Sequence, residues 1–159
     1  MKKINLSTEI EELLSEELST MEKLLIDRAK EVSKRAYAPY SGFHVGAAVL
    51  LEIGEILQSS NQENVSFPTG VCAERLLLGY AGANHPDSPP TMLAIVAQRA
   101  GEEIWAGVSP CGVCRQTINE VENRFEKPIT MLILCSNGNV MRIKGIANLL
   151  PLKFDDLNS

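Results

Sequence analysis

Val71-Cys72-Ala73-Glu74-Arg75, read with Ser109-Pro110-Cys111-Gly112-Val113-Cys114-Arg115-Gln116, decides the fold and chemistry of this chain. The two short runs hold three thiols and one carboxylate. Thiolates are zinc ligands, and zinc favours tetrahedral sites with sulfur or nitrogen donors. The C-x-x-C spacing lets one local turn supply the sulfurs of Cys111 and Cys114, and Cys72 supplies a third. No fourth protein ligand stands beside them. Three protein ligands with an open position for water describe a catalytic rather than a structural zinc site. Glu74 is not needed as a ligand, and a carboxylate beside an activated water can move its protons.

Both runs fall where helices are expected to begin. Phe67-Pro68-Thr69-Gly70 breaks structure, so a helix starts at Val71 or Cys72 and runs through Leu76, Leu77, Leu78 and Ala81 towards Gly82 or Asn84. Ser109-Pro110 precedes a second helix that starts near Cys111, runs through Ile118, Val121 and Phe125, and closes at Lys127-Pro128. A helix N-terminus carries partial positive charge and unpaired N–H groups, which favour thiolate over thiol. Cys72 and Glu74 are two residues apart, and in mid-helix they would face different directions. They share a target only if the metal lies off the helix end.

Working outward, Ser19 and Glu22 form a capping box for an amphipathic helix ending near Tyr37, ahead of Pro39. Phe43 to Glu52 alternates as a strand, turns at Glu52–Glu55 and returns from Ile56 as an antiparallel hairpin. The polar stretch Asn61-Gln62-Glu63-Asn64 follows. Met92–Ala97 and Ile129–Cys135 are short apolar runs that read as buried strands. Ile104–Val108 reads as extended. Asn137-Gly138 is a hairpin turn, with Val140, Arg142 and Lys144 on the return strand, and Ile146–Leu150 forms one helical turn. The first residues, Lys3 to Leu14, fit either a helix capped by Thr8 and Glu11 or an extended edge segment, and the extended reading is preferred. Together these elements predict an α/β fold with helices on both faces of one sheet.

Length and composition set bounds. A chain of 159 residues, 45% hydrophobic, reads as a single domain over 1–159 with residues 1–18 as an N-terminal extension. The net charge is -5 and no block of Lys and Arg occurs, so no nucleic-acid backbone is expected as partner. Met1-Lys2-Lys3-Ile4-Asn5-Leu6 lacks the apolar core of a signal peptide, and no apolar run is long enough to span a membrane. A cytoplasmic location with reduced cysteines is expected. Cys135, in the apolar run from Ile129, reads as a buried structural thiol.

C-A-E followed by P-C-x-x-C resembles the motif of zinc-dependent nucleoside and nucleobase deaminases. With Cys at position 72, the chain is most similar to the small all-cysteine cytidine deaminases. The likeness runs from about Leu24 to Phe154. It includes Tyr37–Ala48, Asn61-Gln62-Glu63-Asn64 and Leu149-Leu150-Pro151-Leu152-Lys153-Phe154. The resemblance implies a three-layer cytidine deaminase-like fold with a five-stranded mixed sheet. It implies one Zn²⁺ per chain on Cys72, Cys111 and Cys114, with hydrolytic deamination of cytidine and 2'-deoxycytidine. Glu74 would be general acid and base in turn, protonating N3 and then the leaving amine. It also implies that Phe43 lies against the base, that Asn61 and Glu63 hold the ribose hydroxyls, and that Ala73 touches substrate. Arg75 would hydrogen-bond a thiolate and offset the charge of three sulfurs. Phe154 would close the pocket of a neighbouring subunit in a homotetramer. Leu76 stands where the family often has Thr, and Phe67 where it often has Tyr. Neither position touches the metal set.

Three rival readings use the same residues. A structural zinc module requires a fourth ligand that the sequence does not offer. A thioredoxin-like redox protein leaves Cys72 and Glu74 unused. A deaminase for another aminopyrimidine, such as a nucleoside antibiotic, fits the motifs as well as a cytidine enzyme does.

Overall fold

Ser19 begins the first helix through reciprocal hydrogen bonds. Its hydroxyl accepts from the Glu22 amide, and the Glu22 carboxylate accepts from the Ser19 amide. In this computed structural model, which describes residues 1–155, the helix (α1) spans Thr20–Ser33. It ends before Tyr37, because Lys34, Arg35 and Ala36 each donate to the carbonyl three residues back and tighten the chain out of the helix.

The sheet contains β1 (Glu11–Leu13), β2 (Phe43–Leu51), β3 (Ile56–Ser60), β4 (Pro90–Arg99), β5 (Thr130–Leu134) and β6 (Val140–Lys144), in the order β1-β6-β5-β4-β2-β3. Only β4 and β5 are parallel. Their connection is the helix α3 (Gly112–Phe125), as a parallel crossover requires. Helix α2 (Ala73–Asn84) joins β3 to β4.

The mixed α/β class and the helices on both faces are as expected, but the sheet has six strands rather than five. The additional strand is β1, the extended reading of the N-terminal region, shortened to three residues that pair with Val140, Met141 and Arg142. Side chains fix what so short a strand cannot. Arg142 binds Glu11 at 2.6 Å and Glu22 at 3.0 Å, and Glu12 accepts from Asn137 and Asn139. Ile104–Val108 does not form a strand. It makes one bridge, Trp105 to Gln98, on the side of β4 that β5 leaves open, since β5 pairs only with Met92 to Ile95.

The two-residue period of each strand sorts the core into layers. Ala47, Val49, Leu51, Leu93, Ile95, Met131 and Ile133 face α2 and α3 with Leu77, Leu78 and Ile118. Ala48, Ala94, Val96, Leu132 and Leu134 face α1 with Leu25, Ile26 and Ala29. Gly46 sets the approach of α1 to the sheet, since a Cβ there would lie 2.0 Å from the Ala29 carbonyl oxygen. Cys72, Cys111, Cys114 and Glu74 stand on the α2–α3 side.

Candidate active site

The cysteine runs meet because two helices begin side by side. Cys72 is the N-cap of α2 and Cys111 the N-cap of α3. The β3 hydroxyl of Ser59 donates to the Ala73 carbonyl at 2.6 Å and fixes the start of α2 against the sheet. Arg115 fixes the start of α3, donating to Pro110 O at 2.8 Å and Leu149 O at 2.7 Å. Sequence reading missed both residues, and no local signal marks them, since each acts on a carbonyl supplied by the fold.

Cys72 Sγ lies 2.8 Å from Cys114 Sγ, and Cys111 Sγ lies 3.8 Å from Cys114 Sγ. All four cysteines are free. Sulfurs on a tetrahedral zinc with bonds of about 2.3 Å stand about 3.8 Å apart. The Cys111–Cys114 separation has that value. The Cys72–Cys114 contact is shorter than that spacing and is a hydrogen-bond contact in which either sulfur can donate. It draws Cys72 down to about 7, helped by the Arg75 amide and opposed by burial, while Cys114 is pushed up by the same contact and by burial. Ligand atoms of Cys72, Glu74 and Cys114 lie within 4.8 Å of one another. Three soft sulfur donors at two positive helix ends, with an adjacent carboxylate, fit a zinc ion.

Glu74, the carboxylate of the cluster, is 5% exposed. Burial pushes its carboxyl above the usual range. Cys72 and Glu74 converge because the cluster sits off the end of α2 rather than along its side. Arg75 is exposed and borders the groove between α2 and α3.

A cleft of about 530 Å³ leads to Cys72, within the size range of small-molecule sites. Asn61, Glu63, Tyr40, Ser41 and Phe67 are among its lining residues. The Asn61–Asn64 stretch is a built element rather than a free loop. Gln62 pairs with Val71 through two backbone hydrogen bonds, and Tyr37 exchanges bonds with Asn61 and Glu63. The Asn61 amide accepts from Val45 N at 2.8 Å and donates to Phe43 O at 2.9 Å, extending β2 by a side chain. One lone pair and one N–H remain for a ligand. Glu63 accepts from the Ser41 hydroxyl and from the amides of Tyr40 and Ser41, and the Ser41 hydroxyl bond is the first cause holding its carboxyl below the usual range. It faces the cleft as a prepared anion.

Three proposed substrate contacts stand elsewhere. Phe43 is partly buried with the Arg99 guanidinium 5.6 Å from its ring centre, and it is not among the residues lining the cleft. The Ala73 side chain lies in the core, and its carbonyl is taken by Ser59. Phe154 is 65% exposed and likewise outside the cleft of its own chain. Among the described residues no helix is long and apolar enough to cross a membrane.

Comparison with known proteins gives this geometry a family. The cytidine and deoxycytidylate deaminase zinc-binding region matches residues 19–129. A cytidine deaminase of Sporosarcina psychrophila is 42% identical over 99 residues, covering 62% of this chain and 68% of that one. A cytidine deaminase of Halalkalibacterium halodurans is 32% identical over 140 residues, covering 86% of this chain and 97% of that one. The crystal structure of cytidine deaminase from Burkholderia pseudomallei superposes with a TM-score of 0.71 at 32% identity, covering 86% of this chain and all of that one. The family match takes in both cysteine runs, and a relative and a solved structure match along nearly their whole length. The chain therefore belongs to the cytidine and deoxycytidylate deaminase zinc-binding family.

Proposed function

We propose that this protein hydrolyses the exocyclic amine of cytidine and 2'-deoxycytidine, releasing ammonia and leaving uridine or 2'-deoxyuridine. The observation that carries the reading is Glu74, a buried carboxylate within 4.8 Å of two thiol sulfurs at adjoining helix starts, next to a cleft that Cys72 lines. Cys72, Cys111 and Cys114 would hold one zinc per chain, and bound zinc supplies the Lewis acidity that lowers the pKa of water. Glu74 takes the proton of the attacking water and gives it to N3. A bond forms from the water oxygen to C4, the C4–amine bond breaks, and Glu74 delivers the second proton to the departing ammonia. The pyrimidine gains one oxygen and loses one nitrogen, with no change in oxidation state.

Asn61 and Glu63 orient the sugar by hydrogen bonds to its hydroxyls. The anionic Glu63 disfavours a substrate phosphate, so nucleosides are preferred to nucleotides. Arg75 and the two helix ends offset the charge of three thiolates. The exposed ring of Phe154 is suited to a neighbouring copy, so the assembly is read as a homotetramer with sites at its subunit boundaries. Four free cysteines suit a reducing compartment, and the cytoplasm is the proposed location.

Ammonia release from cytidine, deoxycytidine, cytosine, dCMP and a pyrimidine nucleoside antibiotic tests the proposal. Fast turnover confined to the two nucleosides is expected. Efficient turnover of dCMP contradicts the Glu63 assignment, and antibiotic turnover without cytidine turnover replaces the substrate.

A further inference from the structure

The segment after Leu149 carries Phe154 across the face of α3, and α3 holds it by side-chain amides. Gln116 Nε2 donates to the Phe154 carbonyl at 2.9 Å. Asn119 Nδ2 lies 3.4 Å from the same oxygen and 2.6 Å from Asp155 Oδ1, and Asn123 Nδ2 adds a bond to that carboxylate at 3.2 Å. Positions 116, 119 and 123 follow the i, i+3, i+7 spacing of one helix face. Asn119 is fully buried, a costly place for a poor helix former; its Nδ2 is used by the tail while its Oδ1 has no partner. Its bond to Asp155 is charge-assisted, the stronger kind. The result is an unusual split at Phe154: the backbone is held at its carbonyl while the ring is 65% exposed.

We infer that Asn119 and Asp155 form a latch that positions Phe154 for contact with substrate bound in a neighbouring copy. The inference rests on the proposed reading that Phe154 covers a neighbour's site. Fixing the backbone before assembly removes part of the ordering cost of that contact. Because α3 also carries Cys114 and is capped by Cys111, the latch ties the ring of one subunit to the helix that builds that subunit's own site. Asn119 and Asp155 are positioning residues that act through Phe154.

Steady-state kinetics on cytidine separate the possibilities, with zinc content and sedimentation recorded for every variant. Asp155→Ala, which removes the charge-assisted bonds from Asn119 and Asn123, is expected to raise KM about tenfold or more, with kcat, zinc content and assembly retained. Asp155→Asn keeps an acceptor for Asn119 and is expected to restore the original KM. Phe154→Ala is expected to raise KM at least as much, and adding Asp155→Ala to it should change nothing further. If Phe154→Ala raises KM and Asp155→Ala does not, the latch is overturned while the reading of Phe154 stands. Equal effects of Asp155→Ala with and without the ring also overturn the latch. An unchanged KM in Phe154→Ala overturns the reading, and the latch with it.

Discussion

Substituting Gly46 by Ala tests how the sheet that carries the site is held. A Cβ at this position would lie 2.0 Å from Ala29 O and 2.9 Å from both Ser33 Cβ and Ser33 N. A carbon and a carbonyl oxygen need more than 3 Å, so α1 and β2 must separate by about 1 Å. No flexible side-chain end is available to yield, because the nearest obstacle is backbone. Separation would loosen the layer of Leu25, Ile26 and Ala29 against Ala48, Ala94 and Leu132, all buried. Overpacking of this kind costs about 1–3 kcal/mol, and a backbone obstacle puts Gly46→Ala at the upper end. For a chain of this size about 3 kcal/mol lowers the unfolding temperature by about 6–12 °C. The strain falls on the α1 side of the sheet, opposite α2 and α3, so kcat per zinc-loaded molecule should stay unchanged at low temperature. A melting temperature within a degree or two of the original, measured by calorimetry, would refute the close-approach argument.

Other consequences can be read from single side chains. Burial pushes the Glu22 carboxyl up, but bonds from Ser19 and Arg142 outweigh it and leave the group below its usual range. Its contribution is therefore complete above the unfolded value of about 4.3 and disappears as pH falls through the lower native value. Denaturant unfolding should show Glu22→Gln less stable by about 2 kcal/mol at neutral pH, with the gap closing in acid. Glu63→Ala should lower kcat/KM for cytidine by about 10–100-fold, the worth of a charged hydrogen bond. Turnover of free cytosine should be unchanged, so the ratio of the two is the measurement.

Local signals were legible and distant ones were not. The Ser19–Glu22 box, the helix starts at Cys72 and Cys111, and the turns at Gly54 and Gly138 depend on residues within a few positions of one another, and each occurs as read. The sixth strand has the sequence Glu11-Glu12-Leu13, which has little strand character of its own. It exists because Arg142, 131 residues away, binds Glu11. Ile104–Val108 has strand character yet makes a single bridge, Trp105 to Gln98, beside the part of β4 that β5 does not cover. Glu122 on α3 is buried and accepts the amides of Ile129 and Ile146, partners that no local pattern marks. At the site, local motifs mark the residues proposed to carry the chemistry. The supports of Cys72, Glu63 and Phe154 come from Ser59, Ser41 and Asn119, whose roles depend on backbone and side-chain groups brought in by the fold.

The central claim is that Glu74 moves protons and does not hold the metal. Glu74→Ala protein, purified beside the original and assayed for zinc and for cytidine turnover, tests it most directly. One zinc per chain is expected in both proteins, with unchanged assembly and a kcat lowered at least ~10²–10⁴-fold, as for a lost general acid–base group. Because the missing interactions belong to the transition state, the loss should appear in kcat rather than in KM. A Glu74→Ala protein with bound zinc and near-normal kcat on cytidine would contradict the mechanism, and one that had lost its zinc would make Glu74 a ligand.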